Sequence, residues 1–203
     1  CTLTVAGQTV DCLANASPAD FTVADGADYT ANIAITDVAG NSGSSNTDTF
    51  SMDNTDPTAS IDTAAFSWDT DGSVTLAYST NDAGSGIASC TLTVSSNEEA
   101  DQTVDCLANA SPATFTMVDA VNAAAGITLT DTAGNSYSTP SNYEFGVDTT
   151  NPAASIDTAA FSWDNDGSVT LAHSASDATS GLATCVLTVT SADEADQTAG
   201  CMT

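Results

Sequence analysis

Hydrophobic residues along this chain alternate with polar ones in short runs and do not recur at the three-to-four spacing of a helix face. Val74, Leu76 and Tyr78 share one side of an extended segment, as do Leu92 and Val94, Phe115 and Met117, Ile127 and Leu129, and Tyr143, Phe145 and Val147. A period of two puts alternate side chains on one face of a strand, so these residues are the expected core. Trp68 and Phe66 are expected to pack with them. Strands are expected over 58–62, 65–68, 73–79, 88–95, 102–106, 113–119, 126–131 and 142–147, lettered A, A′, B, C, C′, E, F and G.

That pattern repeats. The run from Thr58 to Asp69, TASIDTAAFSWD, returns from Ala153 to Asp164 as AASIDTAAFSWD, an offset of 95 residues. Cys90 and Cys185, Cys106 and Cys201, Trp68 and Trp163, and the DGSVTLA stretches from Asp71 and Asp166 keep the same offset. A partial third copy opens the chain, where CTLTV and QTVDCLANASPA match the segments from Cys90 and Gln102. A repeat of this length carrying about eight short strands fits a β-sandwich and is too long for a solenoid unit. The expected organisation is the C-terminal part of one module over 1–53 (strands C to G), a complete module over 54–148, and the N-terminal part of the next over 149–203 (strands A to C′).

Composition narrows the function classes. The chain has 203 residues with 27 acidic side chains, one histidine and no lysine or arginine. Without cationic side chains it has nothing to grip phosphates, which argues against nucleic acid and against anionic membrane surfaces. No run approaches the length of a membrane span, and any export signal or anchor is expected to lie outside the segment. Its hydrophobic fraction of 41%, with recurrent aromatic and β-branched positions, argues for a folded chain rather than a disordered polyanion.

Six cysteines can staple such modules. The flanks CTLTV and QTVDC are joined by Ala6 and Gly7 alone in the first copy and by seven residues in the second. A two-residue hairpin loop in the short copy pairs Val5 with Gln8, Leu3 with Val10 and Cys1 with Cys12. The same register in the longer copies pairs Cys90 with Cys106 and Cys185 with Cys201. Cysteines opposite one another on adjacent strands satisfy disulfide distances without distortion, and such bridges imply an oxidising compartment. Metal ligation is the alternative use of these cysteines, but they show neither CxxC spacing nor clustered histidines.

The strand F exits read TDVAGN at 36–41 and TDTAGN at 130–135, and the junctions read DNTDP at 53–57 and DTTNP at 148–152. With the GSGIAS and SGLAT segments after strand B, these motifs resemble the bacterial immunoglobulin-like tandem repeats of large surface adhesins and extracellular filaments. The opening copy, DGADYTANIAITDVAGN, matches that pattern best, whereas the second has VDAVNAAAG in place of the DG and tyrosine. The resemblance implies an all-β chain of tandem immunoglobulin-like β-sandwich modules of about 95 residues, in which the junction and the loops after B and F meet at one pole. That would gather Asp53, Asp56, Asp82, Asp131 and Asn135 at one module's entrance and Asp148, Asn151 and Asp177 at the next. Hard oxygen ligands with no basic partner suit calcium, whose binding would stiffen the joint. The plainer reading is that Asp and Asn favour turns and stay solvated. WDTDGS at 68–73 and WDNDGS at 163–168 imitate a calcium loop but lack its distal glutamate, and a tight Asp-Gly turn accounts for them.

No catalytic constellation emerges: His173 is the one imidazole, and its counterpart a repeat earlier is Tyr78, so a packing substitution explains it. The chain is therefore expected to be non-enzymatic. Asn15 and Asn109 lie in NAS sequons followed by proline, a weak glycosylation signal. The leading expectation is a structural segment of a long extracellular, cell-surface adhesin or filament, whose partners are neighbouring modules of the same chain or filament. A host or cell-surface partner would be met through parts of the protein outside this chain. The alternative is a module that itself binds a glycan or a cell, but exposed aromatics expected on C or C′ are replaced there by Thr, Ser and Asp.

Overall fold

A computed structural model describes residues 1–15, 17–62, 67–140, 143–157 and 167–202. Among them every regular element is a β-strand, and the pairing is antiparallel with one exception. The chain is thus an all-β fold of several small sheets.

The core lies in the middle of the sequence. Strands β6 (Thr58–Asp62), β8 (Ser73–Asn81) and β11 (Ala113–Thr116) form a three-stranded sheet in the order β11-β8-β6. A second sheet runs β10-β9-β12-β14-β7, from β7 (Trp68–Asp69), β9 (Ile87–Ser95), β10 (Gln102–Asp105), β12 (Ala120–Asp131) and β14 (Tyr143–Val147), with β13 (Ser136–Ser138) also on β12. One cluster of buried side chains draws from both sheets: Ile61, Val74, Leu76 and Phe115 from the first, and Leu92, Val94, Ile127, Leu129, Phe145 and Val147 from the second. The alternating residues read from the sequence are those that turn inward, because one face of each sheet is covered by the other. Tyr78 and Tyr143 sit at the margin of this cluster. The Tyr78 hydroxyl donates to the Asn109 carbonyl at 2.6 Å, so its polar tip is satisfied.

Two expected boundaries move. Strand E ends at Thr116 instead of 119, and strand F begins at Ala120 instead of 126. The VNAAAG stretch carries little strand propensity of its own, yet Ala123, Ala124 and Ala125 pair with β14, and Ala124 and Ala125 also pair with β9. Ladder partners on both sides override the local preference. Residues 65 and 66 of the expected A′ strand, Phe66 included, and residue 142 of the expected G strand lie outside the described residues, as does Trp163. The WDTDGS segment forms a turn: Asp69 Oδ1 accepts the amides of Asp71 and Gly72, and Asp71 Oδ1 accepts that of Ser73.

The flanking segments repeat parts of this body. An N-terminal sheet joins β1 (Thr2–Val5), β2 (Gln8–Asp11), β3 (Gly26–Thr36), β4 (Ser42–Ser44) and β5 (Asp48–Met52) with the neighbour relations of β9, β10, β12, β13 and β14. On the other side β15 (Ala153–Asp157) pairs β16 (Ala172–Ser176), and β17 (Val186–Val189) pairs β18 (Gln197–Gly200). Even side-chain details recur, since the Ser60–Ser79 hydroxyl pair and the Ser155–Ser174 pair each span 2.8 Å. Burial does not recur: Ile61 is 3% exposed and Ile156 is 48%, and Ile156 borders an open cavity shared with Val186 and Leu187 of β17.

All six cysteines are paired within their own hairpins, Cys1–Cys12, Cys90–Cys106 and Cys185–Cys201, with Cα separations of 5.1–5.3 Å. In the short hairpin Leu3 faces Val10 and Val5 faces Gln8. Ala6 and Gly7 both take positive φ, the backbone that a two-residue hairpin turn of type I′ requires. In the longer hairpin Val94 faces Gln102 and Leu92 faces Val104, the same register.

Candidate metal centre

Three elements converge where the N-terminal sheet passes into the central body. Asp53 follows β5, Asp82 follows β8, and Asp131 ends β12. One carboxylate oxygen from each lies within 4.8 Å of those from the other two.

Backbone amides aim each carboxylate. Asp82 Oδ2 accepts from Gly86 N at 2.6 Å and Gly84 N at 3.2 Å, an aspartate-centred turn at the strand exit. Asp131 Oδ1 accepts from Gly134 N and Asn135 N at 2.6 and 2.8 Å, which fixes the AGN loop. Asp53 reaches across the junction, and its Oδ2 accepts from Ser85 N at 2.6 Å. Gly84 leaves room for it: a Cβ there would fall 2.3 Å from Asp53 Oδ2. The Ser85 amide, followed by the Ser85 hydroxyl, holds the Asp53 carboxyl below the usual carboxylate range.

The arrangement leaves negative charge unanswered. Asp131 is buried at 2% exposure beside two other carboxylates in a chain with no lysine or arginine. Asp82 Oδ1 is buried and has no hydrogen-bond partner. A buried acceptor without a donor is costly, and a cation offers both the missing contact and relief of like-charge repulsion. An all-carboxylate donor set suits a hard divalent cation. The residues therefore fit a metal ion, which Asp53, Asp82 and Asp131 would hold.

The other expected ligands divide. Asn135 stands beside the cluster, but its amide nitrogen is committed, donating to Asp131 Oδ2 at 2.7 Å and to the Asp53 carbonyl at 3.0 Å. It orders the ligands and binds the junction to the central body. Asp56 is exposed and lies outside the cluster. At the second junction Asp148 and Asp177 repeat the roles of Asp53 and Asp82: Ser180 N donates to Asp148 Oδ2 at 3.0 Å, and Gly181 N to Asp177 Oδ1 at 2.8 Å. Asn151 is exposed there. Asp37, in the opening TDVAGN loop, receives Asn41 as Asp131 receives Asn135. A cleft of about 610 Å³ lies at the first junction, bordered by Asp25, Asp53, Gly84, Ser85, Thr132 and Ala133.

Two aspartates that sequence reading passed over complete the junctions. Asp25 Oδ1 accepts from the Asn54 backbone at 2.8 Å and side chain at 2.9 Å, and its Oδ2 accepts the Thr55 hydroxyl. Asp119 Oδ1 accepts from the Thr149 amide and hydroxyl, each at 2.7 Å, and its Oδ2 accepts the Thr150 hydroxyl. Both carboxyls sit below their ordinary range, Asp25 chiefly through Thr55 and Asp119 chiefly through Thr150. Residues 53–55 are thus fastened backward to Asp25 and forward to Ser85 and Asn135. The signal was present as an aspartate recurring 94 residues apart, in each case two positions after the FTV or FTM run.

No protein-family model and no curated protein matches the chain.

Proposed function

We propose that the chain is a structural segment of a long extracellular surface adhesin or filament. In this reading, tandem immunoglobulin-like modules of about 95 residues carry load, and calcium at the joints stiffens them. The modules divide at 53 and 148, and the role is mechanical rather than catalytic. The observation that carries it is the meeting of Asp53, Asp82 and Asp131 at a junction between sheets, within 4.8 Å of one another.

Several features support this. The linker is held from both sides, so a cation there would fix the angle between neighbouring bodies rather than decorate a free surface. Strand pairings recur at the offset seen in the sequence. Three hairpin disulfides suit an oxidising extracellular setting. Calcium accepts six to eight oxygen ligands at flexible geometry, whereas magnesium demands near-ideal octahedral geometry and sheds its waters reluctantly.

Calorimetric titration of the metal-free chain with calcium tests the reading. Saturable binding is expected, abolished by Asp82→Asn with Asp131→Asn while the fold persists by circular dichroism. Absence of binding, or equal binding in the variant, would overturn it.

A further inference from the structure

We propose that copies of this chain join head to tail, the β15–β16 hairpin of one lying over the N-terminal sheet of the next. The joint completes a calcium site that neither copy holds alone, from Asp148 and Asp177 of one and Asp37 of the next. It rests on the calcium reading of the central junction for its metal, and on two exposed apolar faces for its fit.

The central body is the template. There β6 and β8 pack against β9, β12 and β14, and Asp53 and Asp82 meet Asp131. Each half of that arrangement recurs in the chain with its inner face exposed. In the last repeat β15 and β16 pair in the register of β6 and β8, but Ile156 and Val169 are exposed where Ile61 and Val74 are buried. In the first, Ile33 and Ile35 of β3 are exposed where Ile127 and Leu129 of β12 are buried; Ile35 is 52% exposed and Leu129 2%. Laying one half over the other, in two copies, buries both sets against the partners that their equivalents have in the central body.

Two further matches fall at the same placement. Residues 19–22 and 169–171 belong to no strand, whereas their equivalents, 113–116 in β11 and 74–76 in β8, pair with each other. Gln8 Nε2 donates to the Thr22 carbonyl at 2.7 Å, as Gln102 Nε2 does to that of Thr116, so the first of these segments is already set over its sheet. Across the joint Phe21 faces Val169 and Ala19 faces Leu171, as Phe115 faces Val74 and Ala113 faces Leu76. At the pole, the Ser180 and Gly181 amides aim Asp148 and Asp177 as Ser85 and Gly86 aim Asp53 and Asp82. The third carboxylate is the exposed Asp37, which accepts from Asn41 N at 2.8 Å and Asn41 Nδ2 at 2.7 Å, the distances that Asn135 keeps to Asp131.

Charge makes the joint conditional. Each copy carries a net charge of -27, so the faces must approach against repulsion, and a cation among three carboxylates relieves it where it is greatest. The β1–β2 hairpin of the next copy takes the place of β9–β10, and the first copy's own β17–β18 stands aside. Nothing in its pairing prevents this. It shares no ladder with β15–β16, a cavity of about 470 Å³ lies between them, and residues 182–185, whose equivalents begin β9, belong to no strand. The contact is heterologous, so association runs on from copy to copy.

Sedimentation of the 203-residue chain in calcium and in chelator tests the joint. In calcium the mass is expected to climb with protein concentration, and in chelator to fall to that of one chain. Ile156→Asp spoils the covering face and Ile35→Asp the covered one; both side chains are exposed, so the thermal transition of the central body should be kept. Each variant alone is expected to stay single in calcium, and their mixture to stop at two chains, because one joint alone can form. Asp37→Asn should raise the protein concentration needed for association at least about tenfold. A single-chain mass for the unaltered chain at every concentration, association that persists in chelator, or association that these variants leave unchanged would overturn the joint. Calcium binding by the Ile35→Asp chain, which stays single, reads the Asp53, Asp82 and Asp131 site alone, so the central reading and this one fail separately.

Discussion

Replacing Cys90 and Cys106 together by alanine should remove most of the central body's margin of stability. The bridge spans a separation of 16 residues, and chain-entropy reasoning assigns such a loop about 3 kcal/mol of unfolded-state restriction. Both sulfurs also belong to the core, Cys90 at 3% and Cys106 at 8% exposure, so their removal costs about 1 kcal/mol more. A loss of about 4 kcal/mol in a body of this size corresponds to a fall in Tm of about 15–30 °C. Thermal melts followed by circular dichroism, with urea unfolding as a second measure, would read it. The Cys1→Ala, Cys12→Ala variant provides the contrast: that bridge lies on a sheet whose one buried hydrophobic residue is Val5, so its loss should leave the main transition in place. A loss below about 1 kcal/mol for the central bridge would refute the reasoning, because the hairpin would then stay closed in the unfolded chain without its cross-link.

Two further outcomes follow from the junctions. Asp25 and Asp119 have folded-state pKa values below the ordinary 3.8, so the stability that they lend the linkers is present above that value. It is lost as pH falls through the depressed folded values. In chelator, linker amide exchange should therefore be unchanged between neutral pH and about 5 and should accelerate below about 3.8, after correction for intrinsic exchange; Asp25→Asn with Asp119→Asn should remove that step. Gly84→Ala places a methyl group 2.3 Å from Asp53 Oδ2, and calcium titration should show affinity lowered at least about tenfold with the thermal transition shifted by only a few degrees.

The parts of the fold that were legible in the sequence rest on strict local constraints. Hairpin register followed from comparing two copies whose tips differ in length, since a two-residue loop admits one pairing. The core followed from period-two alternation because two sheets cover each other's inner faces. The start of β12 was not legible: Ala123 to Ala125 have no local strand signal and are extended only because β9 and β14 flank them. Of the candidate site, Asp53, Asp82 and Asp131 could be read because they end strands in recurrent motifs. Asn135 was read as an oxygen donor, yet its neighbours are acceptors and the amide turns its nitrogen toward them. Asp25 and Asp119 escaped notice because an aspartate beside a glycine or valine resembles any other turn residue until its partners 29 to 31 positions away are known.

Small-angle scattering of the chain in calcium, in chelator and as the Asp82→Asn, Asp131→Asn variant tests the metal-stiffened joint most directly. The account predicts an extended, rigid profile in calcium that broadens into a flexible one on chelation, with the variant fixed in the flexible form under both conditions. Superimposable profiles in calcium and chelator would contradict it.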